Sequence, residues 1–204
     1  MLYDVHTYDV MPLSVPELER AVAEVLPKRV AISPLAGFWH TEAGPLNQII
    51  HIWPYENTAH RTASRAIMQS RDIWGELNAE FVVNMHQDIY LPAPFMRPLA
   101  EANLGPIYEM RTDMYRPADI PNVIEAWGNE IERRENYSPL VGAFRSDGGT
   151  MNLWTHIWAY ESFEQRMRIR EETRAKSIWP PRISAVPLHQ ESKILMPAEF
   201  SPLQ

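Results

Sequence analysis

Cysteine is absent from all 204 residues, which excludes a disulfide framework, thiolate chemistry and any cysteine-ligated metal. That absence fits a reducing compartment without demanding one, since secreted chains also occur without cysteine. The eight glycines never fall into a Walker loop or a G-x-G-x-x-G, so no nucleotide-cradling loop is expected. Neither an H-E-x-x-H spacing nor a G-x-S-x-G elbow occurs, which removes zinc-protease and α/β-hydrolase readings. No carboxylate–histidine cluster has metal-like spacing, so no metal ligands and no cofactor are expected. No stretch approaches the roughly 20 apolar residues that span a bilayer. The start, Met1-Leu2-Tyr3-Asp4-Val5-His6, has no basic region ahead of an apolar one, and a whole chain with that start is expected in the cytosol.

What is present is ordinary globular material, with 45% hydrophobic and 22% charged residues, ample for a core. Net charge is -7, with both signs mixed along the chain. Such a surface repels phosphate backbones, so nucleic acid is not an expected partner.

The chain repeats itself. Shifted by 105 residues it aligns without a gap, and 25 of 99 aligned positions are identical, where chance gives roughly six. Ser33-Pro34-Leu35 and Gly37 return as Ser138-Pro139-Leu140 and Gly142; His51-Ile52-Trp53, Tyr55 and Glu56 return as His156-Ile157-Trp158, Tyr160 and Glu161. Arg61, Arg65 and Trp74 return as Arg166, Arg170 and Trp179. A tandem duplication follows, with units over 1–98 and 106–204 and a linker over 99–105.

Each unit reads βαββαβ. Leu2 to Val10 alternates as a strand, with Tyr3, Val5 and Thr7 on one side and Asp4, His6 and Tyr8 on the other. Ser14-Val15-Pro16-Glu17 is a capping box ahead of a helix that Pro27 ends or kinks, and Asp119 caps its counterpart. Leu35–Thr41 and Asn47–Tyr55 pair as a hairpin, mirrored around Asp147-Gly148-Gly149. Asn57 and Ser162 open the second helices. Trp74 and Trp179 mark breaks before a further short helical stretch, and Ile89–Leu91 and Ile194–Met196 are the last strands. In this unit both helices cover one sheet face, leaving the other bare. The expected fold is therefore α+β: two ferredoxin-like units packed sheet to sheet as an intrachain pseudo-dimeric α+β barrel.

The chemistry concentrates on the third strands. Period two puts Asn47, Ile49, His51, Trp53 and Tyr55 on one face, and Asn152, Trp154, His156, Trp158 and Tyr160 on the other copy's. His51 and His156 are the catalytic candidates, as general base or hydrogen-bond donor beside a pocket. The alternative is a packed aromatic face with each imidazole satisfied by a neighbour. Arg61 and Arg166 can hold an anion or pair locally with Glu56 and Glu161. Tyr3 and Tyr108 present hydroxyls to a cavity or serve as core aromatics.

Tyr3-Asp4-Val5-His6-Thr7-Tyr8, the run Gly37-Phe38-Trp39-His40-Thr41-Glu42-Ala43-Gly44-Pro45-Leu46-Asn47-Gln48, then His51-Ile52-Trp53-Pro54-Tyr55 and His60-Arg61 resemble the NIPSNAP family. The second unit keeps Tyr108-Glu109-Met110-Arg111-Thr112 and His156-Ile157-Trp158-Ala159-Tyr160, but Arg145-Ser146-Asp147-Gly148-Gly149 replaces the aromatic hairpin and Gln165 replaces His60. The resemblance implies the dimeric α+β barrel shared with cofactor-independent monooxygenases and haem-binding enzymes, and it adds Trp39 to the ligand-binding candidates. Eukaryotic members are associated with mitochondria, an address not carried over to a start without an Arg- and Ser-rich presequence. The leading expectation is a barrel binding a small apolar or aromatic molecule, as a cofactor-independent enzyme in its catalytic form, through pockets reached by His51, Trp53 and their equivalents. A scaffold or interaction module, with homo-oligomerisation, is the alternative. Haem would need His60, and none is expected.

Overall fold

A computed structural model describes residues 1–73 and 80–204. The first unit contains β1 (Leu2–Val10), α1 (Val15–Val30), β2 (Gly37–Ala43), β3 (Gln48–Tyr55), α2 (Thr58–Ser70) and β4 (Val82–Pro92). The second contains β5 (Ile107–Met114), α3 (Ile120–Glu135), β6 (Leu140–Gly148), β7 (Leu153–Tyr160), α4 (Phe163–Ala175) and β8 (His189–Pro197). Both units have the expected βαββαβ order.

The strands close a barrel in the order β1-β3-β2-β8-β5-β7-β6-β4. Each unit supplies a four-stranded antiparallel sheet ordered β4-β1-β3-β2 or β8-β5-β7-β6, the ferredoxin-like arrangement. The units are joined by hydrogen-bonded edges as well as by packing. Trp39 of β2 lies opposite Pro197 of β8, and Phe144 of β6 lies opposite Pro92 of β4. These pairs are related by the 105-residue shift, so the two seams are copies of one another. Closure at both seams pairs the second halves of β4 and β8 with the neighbouring unit, covering part of the strand edges that a separate unit would expose.

The strands' period-two alternation separates two environments. Tyr3, Val5, Trp39, Ile50, Ile52, Tyr90, Tyr108, Phe144, Ile157 and Leu195 form the barrel interior. Outside the barrel, Leu18, Val22, Phe38, Ile49, Trp53 and Tyr55 pack between sheet and helix in the first unit. Val123, Trp127, Trp154, Trp158 and Tyr160 do so in the second. Gly37 and Gly142 occupy equivalent positions because the aromatic ring two residues on lies over each: a Cβ at Gly37 would meet the Trp39 ring at 1.9 Å, and one at Gly142 the Phe144 ring at 2.4 Å.

Several local expectations are corrected. Ser14 and Asp119 precede their helices but make no side-chain cap bond. Their ψ values of 3° and -25° are not the extended conformation that aims a cap oxygen at the N3 amide. Ser14 Oγ instead donates to the Met11 carbonyl at 2.6 Å. Asn57 and Ser162 are extended, and both cap. Pro27 does not end α1, which runs to Val30. The last strands begin earlier than expected, because their first halves ladder onto β1 and β5 while their side chains face solvent and lose the apolar alternation. No helix follows Trp179: residues 176–188 are irregular, in keeping with Pro180, Pro181 and Pro187. The corresponding reading at Trp74 and Gly75 lies outside the described residues. No helix among the described residues is long and apolar enough to cross a membrane.

Replacing Gly37 with alanine should push the Trp39 ring out of the barrel core and destabilise the protein by about 1–3 kcal/mol. Chemical denaturation measures this, and an unchanged midpoint would refute the ring-over-glycine account.

Candidate functional site

The outward faces of both sheets carry the same constellation. Arg29, in the last turn of α1, lies over the Trp53 indole at 3.6 Å, and Arg134 lies over Trp158 at 4.1 Å. Both guanidinium groups are buried. Arg29 donates to Ser33 Oγ at 2.6 Å and to the Tyr55 hydroxyl at 3.0 Å. Arg134 repeats the pair with Ser138 at 3.0 Å and Tyr160 at 3.3 Å. The helix C-terminus favours a cation there, and the indole face offsets part of its desolvation. Burial still pulls both arginine pKa values down.

A buried carboxylate balances this charge. Arg61 donates to Asp4 Oδ2 at 2.7 Å, while Glu109 Oε1 accepts from Arg166, from Ser192 at 2.9 Å and from Arg170 at 3.4 Å. Burial alone would raise the Glu109 pKa, but the hydrogen bonds and charge of Arg166, with Arg170 and Ser192, outweigh it and set it at about 2. Arg61 and Arg166 are thus engaged by the first strand of each unit, and not by Glu56 and Glu161 as the sequence suggested.

The histidines are fixed as donors. Trp53 Nε1–H donates to His51 Nδ1 at 2.6 Å, and Trp158 Nε1–H to His156 Nδ1 at 3.0 Å. An indole nitrogen only donates, so each neutral imidazole carries its proton on Nε2. Burial, with Arg111 as the next contribution, lowers the His156 pKa to about 3; burial pushes His51 well below its ordinary value too. A base at Nε2 would require a proton on Nδ1 facing the indole N–H, so of the two roles read from sequence the geometry favours hydrogen-bond donation.

Beside each constellation is an opening between sheet and helices. In the second unit it measures about 460 Å³ and is lined by Arg111, Asp113, Trp127, His156, Trp158 and Trp179 among others. In the first it measures about 550 Å³ and includes Asp4, His6, Tyr8, Arg29, Tyr55 and Arg65. Of the sequence candidates, His156, Trp158 and Tyr160 line the second-unit pocket, and Tyr55 lines that of the first. Trp53 lies under the Arg29 guanidinium, and His51 stacks on His6 at 4.8 Å.

Tyr3, Trp39 and Tyr108 belong instead to the barrel interior on the opposite sheet face. Asn47 and Asn152 are left-handed turn residues, with φ of 56° and 61°. Their carbonyls accept from the Val10 and Tyr115 amides, and neither side chain lines the pocket of its own constellation. His60 Nδ1 accepts from the Glu56 amide at 3.4 Å, the place Gln165 fills by accepting from Glu161 at 2.8 Å. It is a helix-start residue. Among the described residues no group of three or more His, Asp or Glu is placed to hold a metal.

Sequence reading missed Arg29 and Arg134, although they are identical across the repeat. It also missed Glu109, Arg111 and Asp113, which period two aligns on one face of β5.

The depressed Glu109 pKa carries a sign. Its ordinary value is 4.5 and its folded value about 2, so the contribution is present above pH ~5 and is lost as pH falls through ~2. The shift corresponds to about 3 kcal/mol. Glu109→Gln should lower stability at neutral pH and flatten the acid limb of a stability–pH curve. An unaltered acid limb would rule this account out.

A family model described as NIPSNAP matches this chain twice, over residues 3–97 and 108–202. NipSnap homolog 3B of Mus musculus is 30% identical over 217 aligned residues, covering 99% of this chain and 85% of its own length. Among solved structures, a proposed monooxygenase of Fusobacterium nucleatum superposes with a TM-score of 0.66 at 12% identity, over 97% of this chain and 92% of that one. An anthrone oxidase-like protein gives 0.58 at 10% identity, over 98% and 93%. At those identities the two structures show a shared fold.

Proposed function

The chain belongs to the NIPSNAP family, and on that premise we propose that its second unit binds a small, planar, largely apolar molecule between sheet and helices. The carrying observation is the tryptophan cage. Trp179 meets Trp127 edge to face at 4.5 Å and Trp158 at 5.7 Å, beside an opening of about 460 Å³. That size lies within the ~300–1,000 Å³ of small-molecule sites. The first unit has Val22 where the second has Trp127, so the aromatic wall favours the second. The hairpins that distinguish the units lie outside both pockets. Oxidation is the chemistry named for the two fold neighbours, and oxidation of the bound molecule without a cofactor is the catalytic form of this reading. Dioxygen uptake in the presence of a hydroxylated polycyclic compound tests it.

Titration with planar aromatic compounds should quench the cage tryptophans. Trp127→Ala should weaken binding roughly fivefold, the loss of one aromatic contact worth ~1 kcal/mol, while Val22→Ala leaves it unchanged. If no planar compound either quenches fluorescence or raises Tm, the binding reading fails.

The scaffold reading has one observation in its favour. β4 pairs with β6 only from Ile89 onward, and Val83 and Met85 on its earlier part are 69% and 54% exposed. Such an edge can accept another strand. If it mediates self-association, replacing both residues with lysine should reduce the mass seen by sedimentation; an unchanged mass excludes this edge.

A further inference from the structure

We infer that the ligand of the second-unit pocket carries an ionised oxygen, held by the Arg111 guanidinium and the Nε2–H of His156. This rests on the binding role proposed above and names the ligand's class: a planar aromatic carboxylate or phenolate.

Arg111 and His156 are direct cross-strand partners on β5 and β7, and both line the pocket, so their donors share one floor. His156 is 4% exposed. With its Nδ1 taken by Trp158, its single N–H lies on Nε2, and no acceptor for it occurs among the described residues. An N–H that opens onto the pocket is available to an acceptor atom on a ligand. Arg111 is similarly under-used: its Nε is buried without a partner, and its contact with Asp113 is 3.7 Å long.

The surrounding charges favour an anion. Besides Arg111, Arg134 on α3 and Arg170 and Arg174 on α4 face the pocket, against the carboxylates Glu109 and Asp113. Glu109 is already taken up by Arg166, Arg170 and Ser192. Asp113 is the group that opposes an anion, and the Gln190 amide at 2.9 Å partly offsets it. The pocket is thus cationic within a chain of net charge -7. Opposite charges separated by a few ångströms interact strongly where the walls exclude water, and an arginine fork matches a carboxylate's two oxygens. The aromatic requirement comes from Trp127, Trp158 and Trp179. In the first unit, His6, Tyr8 and Gln69 stand at the positions of Arg111, Asp113 and Arg174, so the preference belongs to the second unit.

The test compares 2-naphthoate with 2-naphthamide, equal in size and differing in charge, by calorimetry on the full chain at neutral pH. Naphthoate should bind about tenfold more tightly than the amide. Arg111→Gln should abolish that preference while leaving naphthamide affinity within about twofold, Arg111→Lys should restore part of it, and Asp113→Asn should strengthen naphthoate binding about threefold. Equal affinities for acid and amide in the unaltered protein would overturn the oxyanion inference and leave the aromatic pocket standing. Binding of neither, nor of any other planar aromatic, would overturn both. The acid-to-amide comparison needs no variant, so a misfolded substitution cannot mask the result.

Discussion

The two hydrogen-bonded seams, β2 with β8 and β4 with β6, are the constraint on which everything else rests. A single βαββαβ unit has two strand edges and one apolar sheet face without cover. Each unit supplies what the other lacks, so the interior aromatics Trp39, Phe144, Tyr3 and Tyr108 are buried by both sheets at once. With the interior filled, room for a ligand is found on the outer faces, between sheet and helices. The seam geometry thereby sets where chemistry can occur.

On those outer faces a buried cation organises the site. Arg29 and Arg134 are enclosed beside a tryptophan, a tyrosine and a serine, with Asp4 or Glu109 as the nearby compensating carboxylate. The same tryptophan that supports the guanidinium donates to the histidine and so fixes its tautomer. One indole therefore does two things: its face receives a charge and its edge decides where a proton resides. This explains why histidine and tryptophan recur two residues apart in both units.

The two units share this frame and differ in what surrounds it. Trp127 and Arg111 in the second unit stand where the first has Val22 and His6. The seams keep their register while most of their residues differ, and the Arg–Trp–His arrangement keeps its residues in both units. The internal repeat accounts for the frame, and the divergence of its copies accounts for an aromatic, cationic pocket in one half.

Much of this was legible in the residues alone. The ungapped repeat, the βαββαβ order and the strand faces follow from local periodicity and spacing, because a strand's side chains alternate whatever it packs against. Which face lines the barrel and which lines a pocket was not legible, since Tyr3, Trp39 and His51 are all apolar or aromatic in pattern and all buried. Nor could spacing reveal that Arg166 would reach Glu109, 57 residues away, in preference to Glu161 just ahead of its own helix. Local sequence determined the elements and their duplication. The histidine tautomers, the carboxylate partners and the position of the pocket were decided by tertiary structure, because each depends on groups brought together across strands and helices distant in the chain.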